Sequence, residues 1–319
     1  MKITEYLRKK DGDKTPVSFE LLPPMKGRGI ESIYNSLDRL MEFNPPFINV
    51  TYHRSEYIYK KMPGGFFKKV ITRKRPGTVG ICAAIMNKYG VQAVPHLTCG
   101  GFSVEETEDA LIDLHFLGVK NVLAIRGDAA KSEARFTPET GGHAYSSDLV
   151  KQIANMNKGI YLEEDLANAI ETDFCIGVGG YPEKHFEAPN MNTDLKHLKK
   201  KVEMGANFIM TQMFFDNEKF FEFVKACREM DINVPIIPGL KPLTKRRQTT
   251  VIPSIFHVDI PDELELEIEK CKDDKAVEQV GKEWCINQSK ELVKAGIPCL
   301  HFYTMSQSKI VSEIVREAM

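Results

Sequence analysis

The stretch PVSFELLPP, residues 16–24, is an apolar, partly β-branched run that two prolines bring to a halt, with one carboxylate, Glu20, near its end. A short run of this kind bounded by turn residues reads as a buried strand. A lone buried charge costs several kcal/mol or more unless it is paired or neutralised, so Glu20 is expected either at an exposed strand tip or where its protonation is put to use.

Seven further runs share this character. With the first read as 17–23, they are FINVTYH (47–53), QAVPHLT (92–98), NVLAIRG (121–127), FCIGVGG (174–180), FIMTQMF (208–214), VPIIPGL (234–240) and LHFYTM (300–305). Between them lie helical patterns at 31–43, 103–118, 193–206, 216–230 and 276–296, several opening on Ser, Thr or Asp and closing near Gly, as helix caps require. Eight βα units close most economically into a single α/β domain, a (β/α)8 TIM barrel. An open doubly wound sheet would show a G-x-G-x-x-G turn after an early strand, and the glycines at 177, 179 and 180 do not form one. Three connections, 53–91, 128–173 and 241–299, are longer than a loop and helix need. Each is expected to hold an extra helix, for instance YLEEDLANAI (161–170) and DELELEIEKC (262–271). With no low-complexity linker, one domain over 1–319 is expected.

The chain has 42% apolar and 27% charged residues and no run near the roughly 20 apolar residues that cross a bilayer. Its net charge of -1 gives no global basic field, which argues against nucleic-acid or membrane partners and makes any anion site local. Residues 1–15 lack an apolar signal core, so a cytoplasmic location is expected. Seven widely spaced cysteines, without zinc-ligand spacing, read as free thiols and no metal site is expected.

In a barrel of this type the active site forms at the C-terminal strand ends. Those ends carry Glu20; Thr51 and Tyr52; His96 and Thr98; Arg126 and Asp128; Tyr181 and His185; Gln212; and Tyr303, with Gln248 a turn beyond the seventh strand. Taken singly, a Thr or Tyr there more often caps or packs, and Arg126 with Asp128 fits a structural ion pair. Together, two carboxylates, a guanidinium and two histidines on one rim form the kind of arrangement that perturbs pKa values. Glu20, among Phe19, Leu21, Leu22 and prolines, is expected to be held neutral as an acid, and Asp128, two residues from Arg126, to stay ionised. On the helical stretch 193–206, Lys201 lies seven residues from Asp194 and so shares its face; the face reads as solvated or, with Lys200, as reaching a phosphate-bearing cofactor.

In order, SFELLPP, VTY, PHLTC, IRGD, YPEKH, TQMFFD, IIPGL and HFYT resemble the methylenetetrahydrofolate reductases, over about residues 15–310. The resemblance implies an FAD-containing TIM barrel of the compact bacterial type, without the regulatory domain of the eukaryotic enzymes. It would reduce 5,10-methylenetetrahydrofolate to 5-methyltetrahydrofolate with NADH or NADPH, alternating at one site, and supply methyl groups for methionine synthesis. It implies Glu20 as the general acid toward N10 of the folate and Asp128 beside flavin and pterin. It places Thr51, Tyr52, His96, Arg126, Gly127, Asp128, Tyr145, Ser146, Tyr181, His185, Ala188, Asp194, Lys200 and Lys201 around FAD, and Gln212, Gln248, Tyr303 and Gln307 at the substrate. Departures are Gln307 where the family carries arginine, within Met305, Ser306 and Gln307, together with His197 for Asn and Ser146 for Ala. A homo-oligomer is expected. The rival readings are a metal-dependent barrel lyase using Glu20, His96, Asp128 and His185, and a non-catalytic barrel subunit; a yellow flavin colour separates the first.

Overall fold

The computed structural model describes residues 1–8, 14–130, 133, 135–305 and 307–319. Eight parallel strands close into a barrel: β1 (Val17–Leu21), β2 (Phe47–Val50), β5 (Gln92–Thr98), β6 (Asn121–Ile125), β7 (Cys175–Gly180), β8 (Phe208–Met213), β9 (Ile236–Leu240) and β10 (Leu300–Tyr303). Around the wall the order is β1-β10-β9-β8-β7-β6-β5-β2, with β2 returning to β1. These are the eight runs read in the sequence: β5 keeps its full 92–98 span, and the others are shorter by one to three residues.

Strand alternation divides the core in two. Outward residues such as Phe19, Ile48, Val122, Ile176 and Phe302 pack under the surrounding helices in the largest apolar cluster. Inward residues form a smaller plug of Phe47, Val94, Leu123, Phe208, Met210 and Ile237, which α1 (Ile3–Arg8) helps to close by burying Ile3. The Ile3 backbone N–H donates to Asn121 Oδ1 at 2.7 Å, tying this helix to the start of β6.

The barrel helices are α2 (Glu31–Leu37), α3 (Thr78–Tyr89), α4 (Val104–Phe116), α5 (Ser146–Met156), α6 (Met191–Glu203), α7 (Asn217–Glu229), α10 (Asp274–Lys294) and α11 (Ser308–Ala318). Sequence capping signals operate at several of them. Ser103 and Glu106 form a reciprocal capping box on α4, and Asp273 caps α10 through the Ala276 N–H.

The long connections differ from expectation in two of three cases. The segment after β2 holds not an extra helix but an antiparallel hairpin, β3 (Glu56–Lys61) and β4 (Phe67–Thr72). Its β-branched and aromatic content satisfies strand geometry, and it turns through Gly64 and Gly65, both at positive φ. Residues 161–170 form turns, because their apolar residues at helical spacing face solvent and Asn168 adopts φ 60°. The third connection holds α8 (Gln248–Phe256) and, as expected, α9 (Asp262–Glu269). They cover a third apolar cluster around Leu243, Ile252, Leu264 and Val277. Among the described residues no helix is long and apolar enough to cross a membrane.

Candidate active site

Alternation along β1 turns Ser18 and Glu20 into the barrel while Phe19 faces the helices. Glu20 is 8% exposed, and burial pushes its carboxyl up to about 8, a buried Lys241 only partly opposing the shift. The sequence expectation of a neutral acid thus has its physical cause in desolvation. His96 Nε2 lies 3.5 Å from Glu20 Oε2. Burial pushes that imidazole down to about 3, so at neutral pH this is a contact between a carboxylic acid and a neutral ring, not an ion pair.

Lys241 directly follows β9 and is 4% exposed; burial lowers its ammonium to about 8. It is absent from the strand-end candidates read in the sequence, although a lysine immediately after a strand, in a barrel whose strand ends form the site, was the available signal. Asn49 is likewise not among the strand-end candidates; it is wholly buried on β2, paired in register with Glu20.

A cavity of about 500 Å³ opens beside the mouth, over the ends of β6 and β7. Nine of the fourteen cofactor-site candidates line it: Arg126, Tyr145, Ser146, Tyr181, His185, Ala188, Asp194, Lys200 and Lys201. Lys201 Nζ donates to the Gly179 carbonyl at 2.8 Å, and burial lowers it to about 8. Asp194 Oδ2 accepts from the His185 N–H at 2.9 Å, which fixes the 181–190 loop onto α6. The Glu187 N–H donates to His185 Nδ1, leaving that ring's proton on Nε2, and the ring packs edge-on to Tyr181. The α5 N-terminus, Tyr145 to Ser147, also lines the cavity and has no side-chain cap. Its first N–H groups are therefore open to an anion. A guanidinium, two ammonium groups, hydroxyls and an uncapped helix end form a donor set that fits the diphosphate of a dinucleotide.

The other five candidates sit at the barrel mouth. Thr51 donates to the Leu21 carbonyl, and Tyr52 packs on Phe102 at 4.9 Å. His96 touches Glu20 as described. Gly127 takes φ +81°, where a Cβ would come 3.3 Å from Thr98. Asp128 is exposed, with its charge acting on His53 and Tyr181. The structural alternative for these residues, an Arg126–Asp128 ion pair, is not formed. Arg126 pairs with Glu187 at 2.5 Å instead, so the proximity of two residues in sequence did not translate into contact.

Tyr303 Oη donates to the Thr211 carbonyl at 2.5 Å, and its ring feels both Glu20 and Tyr181, which joins mouth and cavity. Gln212 Oε1 accepts from the Met213 N–H. Gln248 and Gln307 converge on one loop residue: Gln248 Oε1 accepts from the Thr244 N–H at 2.7 Å, and Gln307 Nε2 donates to Thr244 Oγ1 at 2.6 Å. Ser306, between Met305 and Gln307, lies outside the described residues. Among the described residues, no three His, Cys, Asp or Glu are grouped to hold a metal ion.

Comparison with known proteins adds independent support. A family model described as methylenetetrahydrofolate reductase matches residues 3–319. Methylenetetrahydrofolate reductase 1 of Schizosaccharomyces pombe is 34% identical over 99% of this chain and 48% of its own length. An Arabidopsis thaliana relative named as an NADH form is 32% identical over 97% of this chain and 49% of its own. The Escherichia coli 5,10-methylenetetrahydrofolate reductase is 30% identical over 92% and 87%. The chain thus spans about half the length of the first of these relatives and most of the bacterial one. Among solved structures, a Clostridium thermocellum protein described as binding two copies of 5-methyl-5,6,7,8-tetrahydrofolic acid superposes with a TM-score of 0.54 at 13% identity, covering 96% of each chain. At that identity the likeness is one of fold. With the family model covering nearly every residue and the eight strand-end motifs in their expected places, this chain belongs to the methylenetetrahydrofolate reductase family.

Proposed function

We propose that this chain reduces 5,10-methylenetetrahydrofolate to 5-methyltetrahydrofolate with NADH or NADPH, using FAD held in the cavity beside the barrel mouth. The observation that carries the reading is the adjacency of two things: a cavity walled by Arg126, Lys200, Lys201 and the open α5 terminus, and a buried carboxylic acid, Glu20, at the mouth it adjoins. When bound, FAD would supply hydride transfer between nicotinamide and the one-carbon unit of the folate.

The residues of the chain supply the rest. Lys200, Lys201, Arg126 and the Ser146 and Ser147 N–H groups hold the diphosphate, while Thr51, Tyr52, His96, Gly127, Tyr181, His185 and Ala188 shape the remainder of the cofactor site. Glu20, kept protonated by burial, gives its proton to N10 of the folate and so opens the five-membered ring. Asp128, exposed after β6, supplies a negative charge for the cationic character that develops on the substrate. Gln212, Tyr303, Gln248 and Gln307 bound the folate side. The product is a methyl donor of the kind methionine synthesis requires, and the protein works as a cytoplasmic homo-oligomer.

The test is an anaerobic visible spectrum of the purified protein, followed by addition of nicotinamide and then of methylenetetrahydrofolate. Bleaching of a flavin band and its recovery with the folate is the expected result. A flavin that bleaches but is not reoxidised would overturn the substrate, and a protein that cannot take up FAD would overturn the cofactor.

A further inference from the structure

Beside Glu20, two buried polar side chains settle a question of hydrogen positions. Asn49 Nδ2 lies 3.2 Å from His96 Nε2 and 3.3 Å from Met210 Sδ. A thioether sulfur can only accept, so the amide edge facing it is the NH2, and that same NH2 donates to His96 Nε2. His96 must then carry its single proton on Nδ1 and none on Nε2, whose one lone pair is taken by the Asn49 N–H. That hydrogen-free nitrogen is the atom 3.5 Å from Glu20 Oε2. It has no N–H to offer a carboxylate, and its partial negative charge disfavours one beside it. Asn49 Oδ1, meanwhile, is buried with no partner, so the amide is not placed to satisfy itself.

We propose that Asn49 is a positioning residue for the acid: by donating to His96 Nε2 it fixes the Nδ1–H tautomer, so that Glu20 faces a ring nitrogen with no hydrogen to give and is held as the carboxylic acid until it meets substrate. The idea rests on the reduction proposed above. In that step the Glu20 O–H bond breaks and N10 takes the proton, keeping the electron pair of its bond to the one-carbon unit. The carboxylate left behind, facing a nitrogen that offers it no hydrogen, is driven to recover a proton from water.

The other groups around the pair act as follows. Lys241, following β9, favours the carboxylate, and Tyr303 on β10 is coupled to Glu20. His53, from the loop after β2, and His301 on β10 are both coupled to His96, and burial holds His301 as neutral as His96 itself. Among them, the Asn49–His96 pair opposes the pull of Lys241.

The first test needs no turnover. In FAD-loaded protein carrying 15N-labelled histidine, the ring signal that disappears in His96→Gln is expected to show a neutral imidazole protonated on Nδ1. A ring protonated on Nε2 would overturn the proposal whether or not the protein reduces folate. The second is Asn49→Leu, which fills a similar volume without a donor and frees His96 to turn N–H toward Glu20. Single-turnover oxidation of the reduced flavin by methylenetetrahydrofolate should then lose its alkaline limb about one pH unit earlier and slow about fivefold at pH 8, with bleaching by nicotinamide unchanged. An unshifted pH profile in folded Asn49→Leu would overturn it, and if that variant does not fold the wild-type tautomer decides. A correct tautomer in a wild type that never oxidises its flavin with folate would sink the reduction and leave the Asn49–His96 assignment standing.

Discussion

Arg126 and Glu187 form an ion pair of 2.5 Å on the wall of the cavity, joining the loop after β6 to the loop after β7. The Arg126 hydrogen bond holds the Glu187 carboxyl below the ordinary range. A depressed carboxylate stabilises above its unfolded pKa and loses that contribution as pH falls, so the pair is intact at neutral pH. It also places an anion where a diphosphate would sit. Glu187→Gln removes that charge and frees the guanidinium, and because the pair is partly exposed the effect is modest. FAD binding, followed by quenching of flavin fluorescence, should tighten by about two- to fivefold. Weaker binding would mean that Glu187 is needed to aim Arg126.

The acid role of Glu20 is tested by Glu20→Gln and by pH. The variant should keep FAD and its bleaching by nicotinamide but slow flavin reoxidation by methylenetetrahydrofolate by about 100- to 10,000-fold. In the wild type that half-reaction should decline above about pH 8 with a single-proton slope, since burial raises Glu20 to about 8. The sign for stability is opposite to that of the usual carboxylate. The folded state binds the proton more tightly than the unfolded chain, so stability is full below about pH 4.5 and falls as pH rises toward 8. Glu20→Gln should therefore also raise Tm at pH 7.5 by a few degrees; a lower Tm would show that the carboxylate makes stabilising contacts beyond those seen.

Why was Glu20 legible and Asn49 or Lys241 not? The βα alternation is a long-wavelength pattern: each buried parallel strand is an apolar run, and each run ends where the site must be. A carboxylate inside such a run stands out. Asn49 sits inside FINVTYH as an ordinary interior polar residue, and its meaning depends on Met210 and His96, which only closure of the barrel brings to it. Residues 161–170 failed for a related reason. Leu162, Leu166 and Ile170 repeat at helical spacing, but with no apolar partner to cover them the period has no energy behind it, and the segment is instead clamped by Tyr161 Oη on the Ile170 carbonyl. The hairpin at 56–72 was missed because Lys60, Lys61, Lys68 and Lys69 interrupt its apolar alternation, leaving Ile58 and Val70 as the apolar residues of a half-buried face they share with Glu56 and Thr72.

Lys201 tests the cofactor cavity. Its ammonium is held by one carbonyl, that of Gly179, at 2.8 Å and is coupled to Asp194. Lys201→Met keeps the stem and removes the charge, leaving the Gly179 carbonyl unpaired. A charge-assisted hydrogen bond is worth about 1.5–3 kcal/mol, so FAD affinity should fall by roughly 10- to 150-fold. With the lysine lowered to about 8, wild-type affinity should itself weaken as pH rises past 8, and the variant should lack that dependence. Equal affinity in both proteins would remove Lys201 from the FAD site.

Gly281 tests how the substrate-side loop is held. It lies inside α10, where by propensity alone alanine would stabilise the helix by about 1 kcal/mol. The helix, however, packs directly on the chain after β9: a Cβ at 281 would stand 1.9 Å from the Leu243 carbonyl oxygen, backbone that cannot swing aside like a side chain. Leu243 is flanked by Thr244, the residue on which Gln248 and Gln307 converge, and lies two positions from Lys241. Gly281→Ala must push this loop away, and overpacking of this kind costs about 1–3 kcal/mol. The expected result is a lower Tm together with slower flavin reoxidation by folate, and unchanged FAD affinity because the cavity lies over β6 and β7 on another arc of the barrel. A variant as stable as the wild type would mean that α10 can slide along the loop without moving it, and the close approach would then have no part in fixing the site.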